Sequence, residues 1–217
     1  MEKALDKLHG HPVKITGAGR TDSGVHARGQ CANFITDMTM PPEKFKDALN
    51  SFLPPDIRIL RSEAVDDSFH ARYDATERIY KYYILPRELS YPWLERYCLS
   101  VKGRLDLNRL NELAAPLVGS HSFASFASVM EDGYPMERRV NSAVFYQSQG
   151  YTVFKISADG FLRRMVRSIV GTVLDLYDKG EGSSAMKSVL DAQDRSAAGA
   201  CAPAKGLFLD QVIYGKH

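Results

Sequence analysis

The sequence predicts an α+β protein of two halves, each a split β-α-β arrangement whose helices cover one face of an antiparallel sheet. Three observations carry that prediction. Helical and strand-like segments run α, β, β, α, β over the first third and β, α, β, β, α, β over the rest, so the element order repeats, except for an opening strand, while the residues do not. Ser148-Gln149-Gly150 separates two alternating runs and marks an antiparallel hairpin. The 217 residues, 44% hydrophobic and 25% charged, suffice for one large core or two modest ones.

Taken in order, residues 2–9 read as an amphipathic helix with Ala4, Leu5 and Leu8 on one side and Gly10 as its stop. Strand-like segments follow at 13–16 and 25–35. Pro41-Pro42 opens a helix over about 43–52, with Phe45, Ala48, Leu49 and Phe52 on its apolar face. Pro54-Pro55 closes it before a strand from Ile57 to Val65. Residues 66–75 lack periodicity and read as a connector, giving an N-terminal half, 1–75, and a C-terminal half, 76–217. The run 77–85 alternates, placing Arg78, Tyr80 and Tyr82 on one face and Ile79, Lys81 and Tyr83 on the other.

Residues 86–104 are irregular. Asp106 is a candidate N-cap for a helix that turns Leu107, Leu110, Leu113, Ala114 and Leu117 inward. A loop rich in Ser, His and Phe spans 119–128, and the hairpin strands cover about 138–147 and 151–158. The clearest helix is 161–176, with a stripe of Leu162, Met165, Val166, Ile169 and Val173. A weaker helix at 183–192 leads to a flexible run, 197–206, and a last strand from Leu207 to Tyr214.

Composition excludes several function classes. A net charge of +2 means that any basic surface must come from uneven placement of the cations. Three scattered cysteines, Cys31, Cys98 and Cys201, make no disulfide framework or zinc motif and fit a reducing intracellular compartment. The charged start resembles no secretory leader, and no run approaches the roughly 20 apolar residues of a spanning helix. The histidines match no metal-binding spacing. His121 with Ser120, Ser122 and Asp132 is too loose for a catalytic triad, and Walker, GxSxG and full dinucleotide motifs are missing. A cofactor-free reaction on a large substrate remains.

The chemistry concentrates in Gly17–Gln30, GAGRTDSGVHARGQ. Glycines at 17, 19 and 24 let the backbone turn sharply and come close to a neighbour. Asp22 stands among Arg20, His26 and Arg28, which suits a nucleophile or an ion-pair anchor better than a general acid. Thr-Asp-Ser-Gly is also a common turn signal, with the arginines balancing its charge. A second cluster, Arg163, Arg164 and Arg167, sits near a predicted helix start, where cations oppose the helix dipole. Arg163 and Arg167 are four apart and share a face. Arg167 can pair with a buried carboxylate such as Asp22, and Arg163 or Arg164 can meet a phosphate, or all three can form a solvated flank. Tyr80, Tyr82 and Tyr83 are strand formers that can pack in a sheet or stack on a flipped base.

Five segments together resemble the tRNA pseudouridine synthase A family: GRTDSGVHA (19–27) with Gln30, FHARYDATERIYKYYI (69–84), GSHSFASF (119–126), FLRRMVRSIVGTVL (161–174) and APAKGLFLDQVIY (202–214). The resemblance runs over nearly the whole chain and implies two ferredoxin-like-related α/β halves around a largely antiparallel sheet with a central basic cleft, the pseudouridine synthase fold. It implies a cytoplasmic homodimer that isomerises uridine to pseudouridine in the anticodon stem-loop of tRNA, with neither metal nor organic cofactor and no membrane association. By resemblance, Asp22 is the nucleophile, Arg167 holds it in an ion pair and Tyr80 packs against the target base. The resemblance also links Arg20 to substrate binding and flipping and has Leu207 line the pocket; His26, Arg28, Arg163 and Arg164 are candidate substrate contacts on their charge alone. Relatives of this kind begin with a strand that the first half lacks, since Met1-Glu-Lys-Ala-Leu already falls inside the first helix. The alternative is a non-catalytic tRNA-binding protein of the same fold.

Overall fold

The computed structural model describes residues 1–128 and 133–215, so Asp132 lies outside the described residues. Two compact units form: Met1–Gly19 with Cys31–Asp74, and Arg20–Gln30 with Ala75–His217. The loop carrying Asp22 thus belongs to the second unit.

In the first unit, helix α1 (Glu2–His9) ends where Gly10 turns left-handed at φ 76° and its N–H reaches Asp6 O. Strand β1 (Thr16–Gly17) pairs antiparallel with β3 (Ala32–Asn33), while β2 (His26–Ala27) between them lies in the second unit. A 3-10 turn, Pro42–Lys44, runs into α2 (Phe45–Asn50). Ala4, Leu5, Val13, Phe45 and Leu49 make the core.

The strands here are shorter than alternation predicts. Apolar periodicity marks where a strand can form, but a ladder needs a second backbone alongside it. The run 25–35 splits, because His26–Ala27 pairs with one neighbour and Ala32–Asn33 with another. Residues 57–65 form no strand. The Ile59 N–H and C=O instead exchange bonds of 2.8 and 2.9 Å with the Asn50 side-chain amide, an amide standing in for a strand partner.

The second unit contains β4 (Ala75–Pro86), β5 (Leu99–Val101), α3 (Leu107–Ala114), β6 (Gly119–Ser122), β7 (Glu137–Ser148), β8 (Tyr151–Ala158), α4 (Met165–Asp178), α5 (Ser183–Ala192) and β9 (Leu207–Tyr214). Its seven-stranded sheet among the described residues runs β2-β9-β4-β8-β7-β6, with β5 alongside β4. Only β2·β9 and β4·β5 are parallel. Asp106 caps α3 by accepting from Asn108 N at 2.8 Å. Gln149 and Gly150 both take positive φ, 51° and 86°, the geometry that lets a two-residue turn follow the twist of its strands.

Cross-strand register sorts the side chains. Tyr80, Tyr82 and Ile84 of β4 stand opposite Ile156, Phe154 and Thr152 of β8. That face packs on Leu110 and Leu113 of α3, Met165, Ile169 and Val173 of α4, and Met186 and Leu190 of α5. Lys81 and Tyr83 face the other way.

Four further segments differ from the sequence reading. The irregular 86–104 contains β5 and the loop 119–128 contains β6, both too short for periodicity to show. Helix α4 starts at Met165, because Arg164 adopts φ 64° and a left-handed residue cannot continue the helix. Arg163 and Arg167 therefore do not share a helix face. The run 197–206 is pinned rather than flexible: Gly199 N donates to Thr172 Oγ1 at 3.0 Å, Ala202 N to Arg167 O at 3.0 Å, and Tyr82 Oη to Pro203 O at 2.8 Å.

Candidate active site

Asp22 opens a tight turn closed by Val25 N donating to Asp22 O at 3.0 Å, with Gly24 at φ 80°. The turn presents the carboxylate to the first turn of α4. There Arg167 Nη1 donates to Asp22 Oδ2 at 2.8 Å, and Arg167 Nε donates to Ala202 O at 2.8 Å. With the Ala202 N–H returning to Arg167 O, residues 167 and 202 are linked both ways, so the guanidinium is fixed before it meets the carboxylate. The two side chains are 16% and 25% exposed, which leaves the pair largely out of water yet reachable from the surface. Such a pair is costly to break, because the remaining charge loses its compensation.

Tyr80 lies on the α4 side of the sheet, edge to face with Phe161 at 5.1 Å. Burial pushes its hydroxyl up to about 12, the negative charge of Asp22 adds to this, and Arg78 opposes it. Tyr80 is thus a neutral hydroxyl at ordinary pH. Beside it, Tyr82 is fully buried, and burial raises its hydroxyl as well. Leu207, 5% exposed, stands opposite Tyr82, and Val166 is equally buried on α4. The result is an apolar wall beside a held carboxylate.

His26 and Arg28 go to the other sheet face. The His26 ring stacks on Phe208 at 4.6 Å and its Nε2 donates to Arg96 O at 3.0 Å. Arg28 lies over Phe208 and Tyr83 and donates to Tyr83 Oη at 2.7 Å. Phe208 pairs in register with Lys81, whose Nζ meets Asp210 at 2.8 Å. Arg20, Arg163 and Arg164 are exposed. The structure therefore brings Asp22 to Arg167, places Tyr80 and Leu207 on the same sheet face as α4, and separates His26 and Arg28 from them. Three contributors escape the sequence reading. Phe161 looks like a member of a helix stripe, and the Ala202 and Pro203 carbonyls carry no side-chain signal. Among the described residues no group of three or more His, Cys, Asp or Glu could hold a metal ion. No helix of those residues is long and apolar enough to cross a membrane.

Comparison with known proteins defines the class. Residues 1–74 and 113–215 match the family model described as tRNA pseudouridine synthase. The chain is 41% identical over 214 residues to tRNA pseudouridine synthase A of Borrelia turicatae, covering 99% of this chain and 87% of that protein. It is 39% identical over 215 residues to the protein of the same name from Treponema denticola, covering 99% and 80%. A Thermoanaerobacter relative of that name is 38% identical over 214 residues, covering 99% and 88%. The chain belongs to the tRNA pseudouridine synthase A family.

Proposed function

We propose that this protein isomerises uridine to pseudouridine in the anticodon stem-loop of tRNA, with Asp22 as nucleophile. Family membership supports pseudouridylation in general. The observation that carries the assignment to residues is the Asp22–Arg167 ion pair, at 2.8 Å and partly withdrawn from water, on a glycine-rich turn beside an apolar wall.

The reaction asks for what those groups can supply. The target base leaves its stack, which is easiest in a loop or at a stem end. The bond from uracil N1 to the ribose C1′ breaks, the base turns, and C5 bonds to C1′ while the C5 proton departs and N1 takes one up. Asp22 can attack C1′, assist glycal formation there, or add to C6; each route uses an ionised carboxylate, which Arg167 holds in place. Tyr80 packs against the base with its hydroxyl neutral, and Leu207 and Val166 keep water from the detached uracil. Arg163, Arg164 and Arg20 meet phosphates of the tRNA in a basic cleft, joined by His26 and Arg28 on the far side of β9. The enzyme works as a cytoplasmic homodimer of ferredoxin-like-related halves, without metal or cofactor.

Tritium release from [5-³H]uridine-labelled tRNA tests this, because C5–H is lost when C5 becomes bonded to ribose. Native protein releases tritium. Asp22→Asn abolishes release while tRNA affinity changes less than about tenfold, since the substitution keeps the shape and removes the nucleophile. Turnover by the variant within tenfold of native would overturn the assignment. Native protein that binds tRNA without releasing tritium is instead a binding protein of this fold.

A further inference from the structure

Between β4 and β5 the chain exposes two large rings, Tyr91 at 56% and Trp93 at 66%. The rings lie parallel, 4.8 Å between centroids and 6° apart, with Pro92 between them in sequence. Stacking on Tyr91 holds the indole and leaves most of its surface facing water, an unfavourable use of apolar area unless something covers it.

The mount beneath the rings is firm. The Glu95 carboxylate accepts from Ser90 Oγ at 3.1 Å, Ser100 Oγ at 2.6 Å and Lys205 Nζ at 2.6 Å. Arg96 O accepts from His26 Nε2 at 3.0 Å. Lys205 stands two residues before Leu207, and His26 stacks on Phe208 on the sheet face opposite the Asp22–Arg167 pair, so the segment is anchored beside β9. The same stretch of chain carries exposed cations, Arg87, Arg96, Lys102 and Arg104, against Glu88 and the Lys205-paired Glu95.

We infer that Tyr91 and Trp93 form a platform on which an unpaired base of the RNA stacks. This rests on the function proposed above. Bases stack on aromatic faces whatever their sequence, and an excess of exposed cations in the same stretch suits the accompanying phosphates. A second copy of this chain is the competing occupant, but a symmetric contact would set the same cations against each other.

Trp93 is the one tryptophan in the sequence, so selectively excited tryptophan emission reports on this platform alone. An unmodified tRNA transcript is titrated into the protein, emission is corrected for RNA absorbance, and binding is followed in parallel by filter retention. The platform predicts saturable quenching with the same midpoint as filter binding. Trp93→Ala weakens binding about tenfold, the worth of one stacked base, and raises KM more than it lowers kcat. Trp93→Phe stays within about threefold of native. Binding with unchanged emission, or Trp93→Ala binding within twofold of native, overturns the platform. Emission that shifts with protein concentration without RNA assigns the face to a second copy and also overturns it. Loss of both tRNA binding and tritium release in native protein defeats the functional reading itself, and the platform with it.

Discussion

Arg167 is held at three points, through Nη1 to Asp22, Nε to Ala202 O, and its own carbonyl to the Ala202 N–H. Arg167→Ala leaves the Asp22 carboxylate in a largely dry setting without its counter-charge. It should cost on the order of 2–3 kcal/mol, just under the range for breaking a fully buried pair because this one is partly exposed, and reduce turnover at least a hundredfold. Lysine restores charge but not the two-directional fork, so Arg167→Lys should recover stability more than turnover. Thermal melts and tritium release measure the two separately; an alanine variant with turnover within tenfold of native would show that Asp22 acts unaided. Tyr80 makes a pH statement. Above about 10 an unfolded phenol ionises, whereas the folded Tyr80 hydroxyl stays protonated up to about 12, so its contribution is intact below 10 and falls away between those values. Denaturant melts from pH 9 to 11.5 should decline less steeply for Tyr80→Phe than for native. The kcat/KM profile of native protein should show no alkaline limb due to Tyr80 below pH 10; a limb there that vanishes in Tyr80→Phe would contradict this.

At the scale of elements, α4 and the 199–202 segment work as one piece. Gly171 faces that segment so closely that a Cβ there would lie 1.7 Å from Ala200 O and 2.9 Å from its carbonyl carbon. Backbone is the obstacle, so no rotamer change relieves it. Gly171→Ala should therefore cost about 3 kcal/mol, the upper end of overpacking, and lower the melting temperature by roughly 6–12 °C. Turnover should fall as well, because the displaced strap carries the Ala202 carbonyl that fixes Arg167. A variant that melts like native would mean that the strap shifts freely. Elements are also where sequence reading succeeds and fails for visible reasons. The α3 cap, the 148–150 turn and the alternation of β4 are local, and each is legible. The start of α4 is not, since Leu162 and Met165 fit a helical stripe while Arg164 breaks the helix by turning left-handed.

Across the whole molecule, a net charge of +2 makes any RNA affinity depend on where the arginines stand. Arg163 and Arg164 lie just before α4 and are exposed. Replacing either with alanine should weaken tRNA binding and lower the slope of log affinity against log salt by about 0.9 per lost phosphate contact, with little effect on kcat. Binding measured from about 50 to 200 mM salt decides this, and an unchanged slope would remove them from the phosphate contacts.

Local sequence encodes the mixed α/β class, most helices and the hairpin, and it points to Gly17–Gln30 as the candidate site. Caps, turns and periodicity are short-range properties, and GRTDSGVHA is specific enough to identify the family. Tertiary packing sets which of the loop's own cations stay near Asp22. Arg28 is six residues away and folds onto Phe208 and Tyr83, whereas Arg167, 145 residues away, makes the ion pair. It also decided that 57–65 is no strand and that 197–206 is a strap, because both outcomes turn on where backbone groups find partners. Hydrogen-bond satisfaction is settled by the folded chain as a whole, and no local pattern of side chains encodes it.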